Sequence, residues 1–362
     1  MHRVLVFGAG KIGSLIATLL SHSGDYRVCL ADMHVDTPYL QHLFAKTPNL
    51  ERVSLNAQNS KEISEFLRKN PVDTVISSLP FYCNSAIAHL AKEFDLNYFD
   101  LTEDTKTAQL VTELSKNAKN VFVPQCGLAP GFISIVTNEL MGHFPTVDTV
   151  KMRVGALPIN ISNALQYSLT WSTDGLINEY GNMCRAIMEG KEIQLMPLDD
   201  LEEIKIDGLT YEAFNTSGGI GSLADAWKNK VNTMSYKTIR YPGHCEKMRF
   251  LMNDLKLNED RETLKRILEK AIPKTGQDVV LVYVSVTGMQ HGSYSEESYV
   301  RKFFPKTLHG VQWSAIQLTT ASALCAVMDI IMTEPQKYHG LVKQEQFSLN
   351  DISGNRFGHY YA

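Results

Sequence analysis

Six residues near the N-terminus constrain the fold of this chain more than any others: Gly8-Ala9-Gly10-Lys11-Ile12-Gly13. They follow Arg3–Phe7, which reads as a short buried strand, and precede Ser14–Leu20, whose composition is that of a helix. Strand, glycine turn and helix with G-x-G-x-x-G spacing describe the start of a dinucleotide-binding βαβ unit. Gly8 allows the tight turn, Gly10 lets the backbone approach a pyrophosphate, and Gly13 lets the helix pack closely on the strand. The helix start, with Lys11 and Ile12, carries the partial positive charge that receives phosphates. A second strand, Tyr26–Ala31, ends at Asp32, 22 residues past Gly10. An acid there can bind the ribose 2′- and 3′-hydroxyls and repels a 2′-phosphate, so NAD is the expected cofactor and NADP the alternative. A Rossmann domain that binds no cofactor would keep the same pattern.

A length of 362 residues suggests two domains, each able to bury its own core. The balance of 44% hydrophobic and 20% charged residues is that of a soluble globular protein. Net charge is −4 and no basic stripe occurs, so neither nucleic acid nor an anionic membrane surface is an expected partner. The first residues already form a strand, so no signal peptide is expected. Six cysteines, at 29, 83, 126, 184, 245 and 325, form no C-x-x-C pair and no zinc-spaced cluster. They read as reduced thiols in a cytoplasmic protein without a metal. The longest apolar helix-like stretch, Val311–Met332, contains Gln312, Gln317, Thr319, Thr320, Ser322 and Asp329. It is too polar for a bilayer span and fits a buried helix.

Residues 1 to about 125 alternate strand and helix. Strands are expected at Arg3–Phe7, Tyr26–Ala31, Arg52–Leu55, Thr74–Ser77, Tyr98–Leu101 and Val121–Pro124, with helices such as Ser60–Lys69, Asn84–Glu93 and Thr107–Asn117 between them. This is an α/β pattern, a doubly wound parallel Rossmann sheet, which binds ligands at the carboxyl ends of its strands. By position, Ser78, Leu79 and Pro80 would border a nicotinamide ring. Asp100, Thr102 and Cys126-Gly127 would border its ribose and the reacting carbon.

From Val147 the pattern changes to an inserted α+β domain. Strands are expected at Val150–Gly155, Leu165–Thr170, Glu202–Ile206 and Val279–Thr287, and helices at Thr173–Glu189, Glu246–Leu255 and Arg261–Ile272. The apolar helix after Phe304 must bury against something, and burial on the first domain makes that domain discontinuous. The expected division is 1–125 with about 306–335, then 126–305, then a polar and aromatic tail, 336–362, either loose or packed on a neighbouring subunit.

Several stretches in order resemble the saccharopine dehydrogenase family: Gln125-Cys126-Gly127-Leu128-Ala129-Pro130-Gly131, Arg153–Pro158, Tyr211–Gly219 and Ile239-Arg240-Tyr241-Pro242-Gly243-His244. Tyr167–Ser172 with Gly175–Tyr180 looks most like the lysine 6-dehydrogenase branch. The resemblance runs from residue 1 to about 333, departs at Ala156, and matches nothing in Met289–Ser298 or the tail. It implies NAD(P)-dependent oxidation at a C–N bond of a lysine- or saccharopine-like amino acid. The reverse, imine reduction joining a semialdehyde and glutamate, is an alternative. So is a non-catalytic NAD-binding redox sensor. It also implies a substrate and dimerisation domain, and hence a homodimer.

The residues suggest how such chemistry would be divided. Cys126 is a pocket thiol or weak acid/base, or else a small buried filler. Pro242 and Gly243 force a turn that can display Arg240, Tyr241 and His244. Arg240 could clamp a carboxylate, or form a structural ion pair. His244 could hold a carboxylate or pass the amine proton near neutral pH, or be a satisfied turn histidine. Thr216 and Ser217, with Gly218-Gly219, offer a carboxylate cradle or a plain turn. Arg153 could meet a substrate carboxylate, but pairing with an internal acid suits it better. Trp171 and Tyr180 read as core or interface aromatics.

Overall fold

The apolar run after Met1 forms β1 (His2–Phe7), and the glycine turn leads directly into α1 (Lys11–His22). Then follow β2 (Tyr26–Asp32), α2 (Pro38–Lys46), β3 (Leu50–Ser54), α3 (Ser60–Lys69), β4 (Thr74–Ser77), α4 (Phe81–Glu93), β5 (Asn97–Asp100), α5 (Thr105–Ser115) and β6 (Val121–Val123). All pairings are parallel, in the order β3-β2-β1-β4-β5-β6. The order reverses between β1 and β4, which is where an open α/β sheet opens its ligand crevice. One face of the sheet is sealed by Leu5, Phe7, Val75, Tyr98 and Phe122 packing on Ile63, Leu67, Ile87, Leu90, Ala91 and Val111 of α3 to α5. The computed structural model describes residues 1–362 and divides them into two units. The first is Met1–Gly131, Thr307–Trp313 and Gln317–Ala362; the second is Phe132–Lys306 with Ser314–Ile316.

The second unit contains α6 (Phe132–Gly142), β7 (Thr146–Pro158), α7 (Thr173–Gly181), β8 (Cys184–Met188), β9 (Lys191–Leu195), β10 (Glu202–Ile206), β11 (Leu209–Asn215), α8 (Leu223–Trp227), β12 (Val231–Arg240), α9 (His244–Arg249), a π-helical turn at Phe250–Asp254, α10 (Arg261–Ala271), β13 (Asp278–Gln290) and β14 (Ser293–Phe303). Its mixed sheet runs β10-β11-β12-β7-β13-β14, with the β8–β9 hairpin attached to β12. Only β12 and β7 pair in parallel.

Two expectations fail here for identifiable reasons. Leu165–Thr170 is irregular chain, not a strand. Asn163 donates its amide to the Tyr167 carbonyl at 2.6 Å, and Gln166 adopts φ +54°, so side-chain bonds take the place of a ladder. The helix expected over Thr173–Glu189 stops at Gly181. The amide of Asn258 and the guanidinium of Arg261 take the Gly181 carbonyl, at 3.2 and 3.1 Å, and the rest becomes β8 of a hairpin turning at Glu189-Gly190.

The chain returns through β15 (Lys306–Leu308), β16 (Val311–Trp313), α11 (Ala315–Thr333), β17 (Gly340–Leu341) and α12 (Leu349–Gly354). The apolar stretch is thus helical only from Ala315, where the buried Asp278 carboxylate accepts the Ala315 and Ile316 amides at 2.6 and 3.0 Å. By length and composition α11 could cross a membrane, but 72% of its apolar window is buried within the protein.

Residues 336–362 are not a loose tail. β17 extends the first sheet by pairing in parallel with β6. Arg356 and Asn355 both meet the buried carboxylate of Asp329, which also accepts the Tyr26 hydroxyl at 2.7 Å. A buried carboxylate needs donors, and the C-terminal segment supplies them.

Candidate active site

The glycine turn is shaped by its neighbours. Gly8 has φ +98°, and a Cβ there would stand 2.7 Å from the Ser78 carbonyl oxygen. A Cβ on Gly13 would stand 1.9 Å from the Gly8 carbonyl oxygen. A Cβ on Gly10 would meet nothing within 4 Å. Gly8 and Gly13 are therefore demanded by the chain itself, whereas Gly10 faces open space. Ser78, bonded through its amide to the Phe7 carbonyl at 2.9 Å, brings Ser78-Leu79-Pro80 against the turn. At the end of β2, Asp32 accepts the Ala9 amide on Oδ2 at 2.8 Å and the His34 amide on Oδ1 at 3.0 Å.

Helix capping gives an independent test of fit. In this unit α2, α3, α5 and α12 each start from a side-chain cap: Thr37, Asn59, Asp104 and Ser348. α1 starts from Gly10 and α4 from Pro80, neither with a side-chain cap nor an acid in its first turn. These two helices follow β1 and β4, the strands that flank the crevice. Neither helix start has a side-chain acceptor, and the dipoles of both helices favour a negative ligand there. The residues present fit a dinucleotide: the amides from Gly10 to Gly13, including Lys11 and Ile12, for the pyrophosphate and Asp32 for a ribose.

The ends of β5 and β6 depart from expectation. Asp100 is wholly buried and collects three donors: the Tyr98 hydroxyl at 2.7 Å and the Thr102 and Gln125 amides at 2.9 and 3.0 Å. Its carboxylate holds loops in place and presents no free edge to a cofactor. Burial raises its pKa, with those donors opposing. The Thr102 hydroxyl turns back to accept the Asp104 amide at 3.2 Å. Cys126 is completely buried, and desolvation pushes its thiol far above the usual range. Acid/base work at neutral pH does not suit it. Beyond it, Gly127–Gly131 closes on itself. The Gly127 amide bonds to the Pro130 carbonyl at 3.1 Å, and a Cβ on Gly131 would overlap Gly127.

In the second unit β12 delivers Arg240, α7 delivers Tyr180 and α9 begins with His244. All three are buried, and Tyr180 is bonded to both of the others. Arg240 Nε donates to the Tyr180 hydroxyl at 2.8 Å, and one Nη1 hydrogen goes to the Ile239 carbonyl at 2.9 Å. The guanidinium lies over the rings of Tyr167 and Tyr180, 5.1 and 5.8 Å from their centroids, and enters no ion pair. Buried Glu179 acts on it only at longer range. His244 meets the Tyr180 hydroxyl through Nε2 at 3.1 Å and the Leu165 carbonyl through Nδ1 at 2.9 Å. Desolvation first, and the Arg240 charge second, lower its pKa to about 3. His244 is thus a neutral imidazole, and the expected proton transfer near neutral pH is corrected.

The other substrate candidates prove to be structural. The Thr216 hydroxyl pairs with that of Thr238 at 2.7 Å. Ser217 bonds the Asn178 carbonyl through its hydroxyl at 3.2 Å and the Glu179 carbonyl through its amide at 2.9 Å, fixing α7 to β11. Tyr241 donates to the Pro158 carbonyl at 2.9 Å and stacks on Tyr211. Arg153, buried, is held by Glu202 and by the Met152 and Ser235 carbonyls, while Lys237 takes the other Glu202 oxygen at 3.0 Å. Sequence reading passed over Glu212, whose carboxylate accepts the Gly243 and Cys245 amides at 2.7 and 2.6 Å and so sets the turn before His244. It also read Tyr180 as a core or interface aromatic, without its link to Arg240 and His244.

A switch-point crevice with an uncapped glycine turn, followed by a mixed-sheet unit with a buried guanidinium, defines a two-unit dinucleotide-binding α/β protein. The family model for the saccharopine dehydrogenase NADP binding domain matches residues 4–121, and that for the saccharopine dehydrogenase C-terminal domain matches 127–355; the chain belongs to the saccharopine dehydrogenase family. Among solved structures it is similar to apo saccharopine dehydrogenase (L-Glu forming) from Saccharomyces cerevisiae, at TM-score 0.75 and 15% identity over 99% of this chain and 96% of that one. It is similar also to homospermidine synthase from Legionella pneumophila in complex with NAD, at TM-score 0.69 and 12% identity over 99% and 89%. At such identities the likeness is one of fold.

Proposed function

We propose that this protein is a nicotinamide-dependent oxidoreductase acting at a C–N bond of a lysine- or saccharopine-like amino acid, with NAD preferred over NADP. The observation that carries the reading is Arg240: a buried guanidinium with no ion-pair partner, in a family member whose first unit keeps an uncapped glycine turn. Guanidinium groups stay protonated in proteins, and an unpaired buried charge is costly. A carboxylate on the ligand supplies the missing partner, and an amino-acid substrate has one. A redox sensor without substrate has no use for such a group.

When bound, the nicotinamide supplies the hydride acceptor or donor. The amides from Gly10 to Gly13 hold the pyrophosphate, and Asp32 holds the adenosine ribose. Ser78, Leu79 and Pro80 border the ring. Arg240 binds the amino acid through its carboxylate.

The test is a screen by absorbance of reduced nicotinamide, with NAD and NADP against lysine, saccharopine, ornithine and other ω-amino acids. Turnover of one amino acid, faster with NAD, is the expected result. Tight NAD binding by calorimetry without turnover of any of these acids would overturn the reading in favour of the sensor.

A further inference from the structure

We propose that Tyr180 is a positioning residue for the Arg240 carboxylate clamp, acting through a one-way hydrogen-bond chain that runs from Arg240 through Tyr180 and His244 to the Leu165 carbonyl. The inference deepens the function proposed above and rests on its assignment of Arg240.

The direction of the chain follows from donor and acceptor inventories alone. A guanidinium only donates, so the Tyr180 oxygen accepts from Arg240 Nε at 2.8 Å. The single Tyr180 proton then goes to its other neighbour, His244 Nε2, at 3.1 Å. That nitrogen must carry a lone pair, so the imidazole proton sits on Nδ1 and is donated to the Leu165 carbonyl at 2.9 Å. A carbonyl only accepts, so the chain cannot run backwards. A protonated His244 would aim a second donor at the Tyr180 oxygen, leave the phenolic proton without an acceptor, and set two cations side by side.

Every group around this chain reinforces it. From α7 come Tyr180 and Glu179, from β12 Arg240, from α9 His244 and Lys247, and from the preceding irregular segment Tyr167. Phe214 on β11 stacks against His244 at 6.2 Å and meets Tyr180 edge-on at 5.6 Å. The Tyr180 hydroxyl is thus the one polar link between a cation that must face a ligand and an imidazole that must stay neutral. It fixes the Nε edge of the guanidinium, which leaves Nη2 to engage a carboxylate.

Three measurements on the full chain test this. Tyr180→Phe removes only the hydroxyl and keeps the ring in its packing. It should weaken L-glutamate, used as a carboxylate probe in calorimetry, by roughly tenfold. It should raise KM for the amino-acid substrate far more than it lowers kcat, with NAD affinity unaltered. In ¹⁵N-histidine spectra, wild type should show one Nδ1-protonated tautomer that does not titrate across neutral pH, and Tyr180→Phe should lose it. Arg240→Met separates the layers of the argument. If Arg240→Met weakens the probe and Tyr180→Phe does not, the positioning role is overturned and the clamp stands. If Arg240→Met has no effect, or wild type does not bind the probe, the clamp itself falls and this inference with it. A tautomer signal unchanged in Tyr180→Phe overturns the chain directly.

Discussion

The Asp32 carboxylate accepts the Ala9 amide at 2.8 Å, which ties the end of β2 to the middle of the glycine turn. With the His34 amide on the other oxygen, one lone pair is taken on each. The second lone pair of each oxygen can accept a ribose hydroxyl, and the charge repels a 2′-phosphate. Asp32→Ser should therefore weaken NAD by roughly tenfold while NADP changes little or tightens. Fluorescence titration with both cofactors measures the ratio of the two Kd values. A ratio equal to that of wild type would remove Asp32 from the ribose site.

Asp100 makes an opposite prediction, about stability. With its carboxylate gone, Asp100→Ala leaves the Tyr98 hydroxyl and the Thr102 and Gln125 amides with no acceptor there, and should cost roughly 3 kcal/mol. Asp100→Asn keeps an acceptor for the two amides and should cost much less. The pH dependence has a definite sign. Burial raises the native pKa above the ordinary 3.8, so above that value the native state holds a proton the unfolded state has released. Wild-type stability then falls as pH rises from about 4 toward the native pKa, and Asp100→Asn should lack this slope. Urea unfolding of both proteins at a series of pH values decides it, and parallel curves would refute the buried titration.

His244 titrates in the opposite sense. Its pKa falls from 6.5 to about 3, so between those values the unfolded state binds a proton that the native state does not. Stability is therefore lost as pH drops below 6.5, by up to ~1.4 kcal/mol per pH unit, until about pH 3. His244→Gln should flatten this part of the acid-unfolding curve. The pH–rate profile of the active enzyme should show no ionisation of His244 near neutrality. A rate-limiting pKa near 6.5 that vanishes in His244→Gln would restore the proton-transfer role.

These contrasts show what the amino-acid order discloses. The glycine turn, the alternating strands and helices and Asp32 were legible because each is a local pattern with a local cause. Arg240 was legible as a candidate because a Pro-Gly turn and a charged residue adjoin. Arg153, better suited by its sequence to an internal acid, does pair with one, and the fold reveals that it is Glu202, 49 residues away. Asp278 capping Ala315 and the C-terminal strand beside β6 likewise depend on partners far along the chain. The β8–β9 hairpin was less legible because the Gly181-Asn182 stop is fixed by Asn258 and Arg261, about 80 residues further along the chain. Burial decided the rest. Cys126 and His244 carry reactive groups, and desolvation keeps one a thiol and the other a neutral ring.

The glycines of the turn allow folding and cofactor binding to be separated within four residues. Gly13→Ala places a methyl 1.9 Å from the Gly8 carbonyl oxygen, which is backbone and cannot swing aside. α1 must shift off β1, and the cost should be in the range of about 1–3 kcal/mol seen for overpacked sites, with cofactor affinity lost as a consequence. Gly10→Ala meets no atom within 4 Å, and Gly10 sits at φ −74°, where alanine is at ease. Its thermal midpoint without cofactor should match that of wild type. Its methyl nevertheless occupies the space a pyrophosphate needs to reach the Gly10–Gly13 amides, so NAD should bind at least tenfold more weakly, and the same added NAD should raise the midpoint by clearly less than in wild type. Thermal unfolding of both variants with and without NAD reads out all four expectations. If Gly10→Ala were stabilised by NAD as fully as wild type, the pyrophosphate could not lie over this turn.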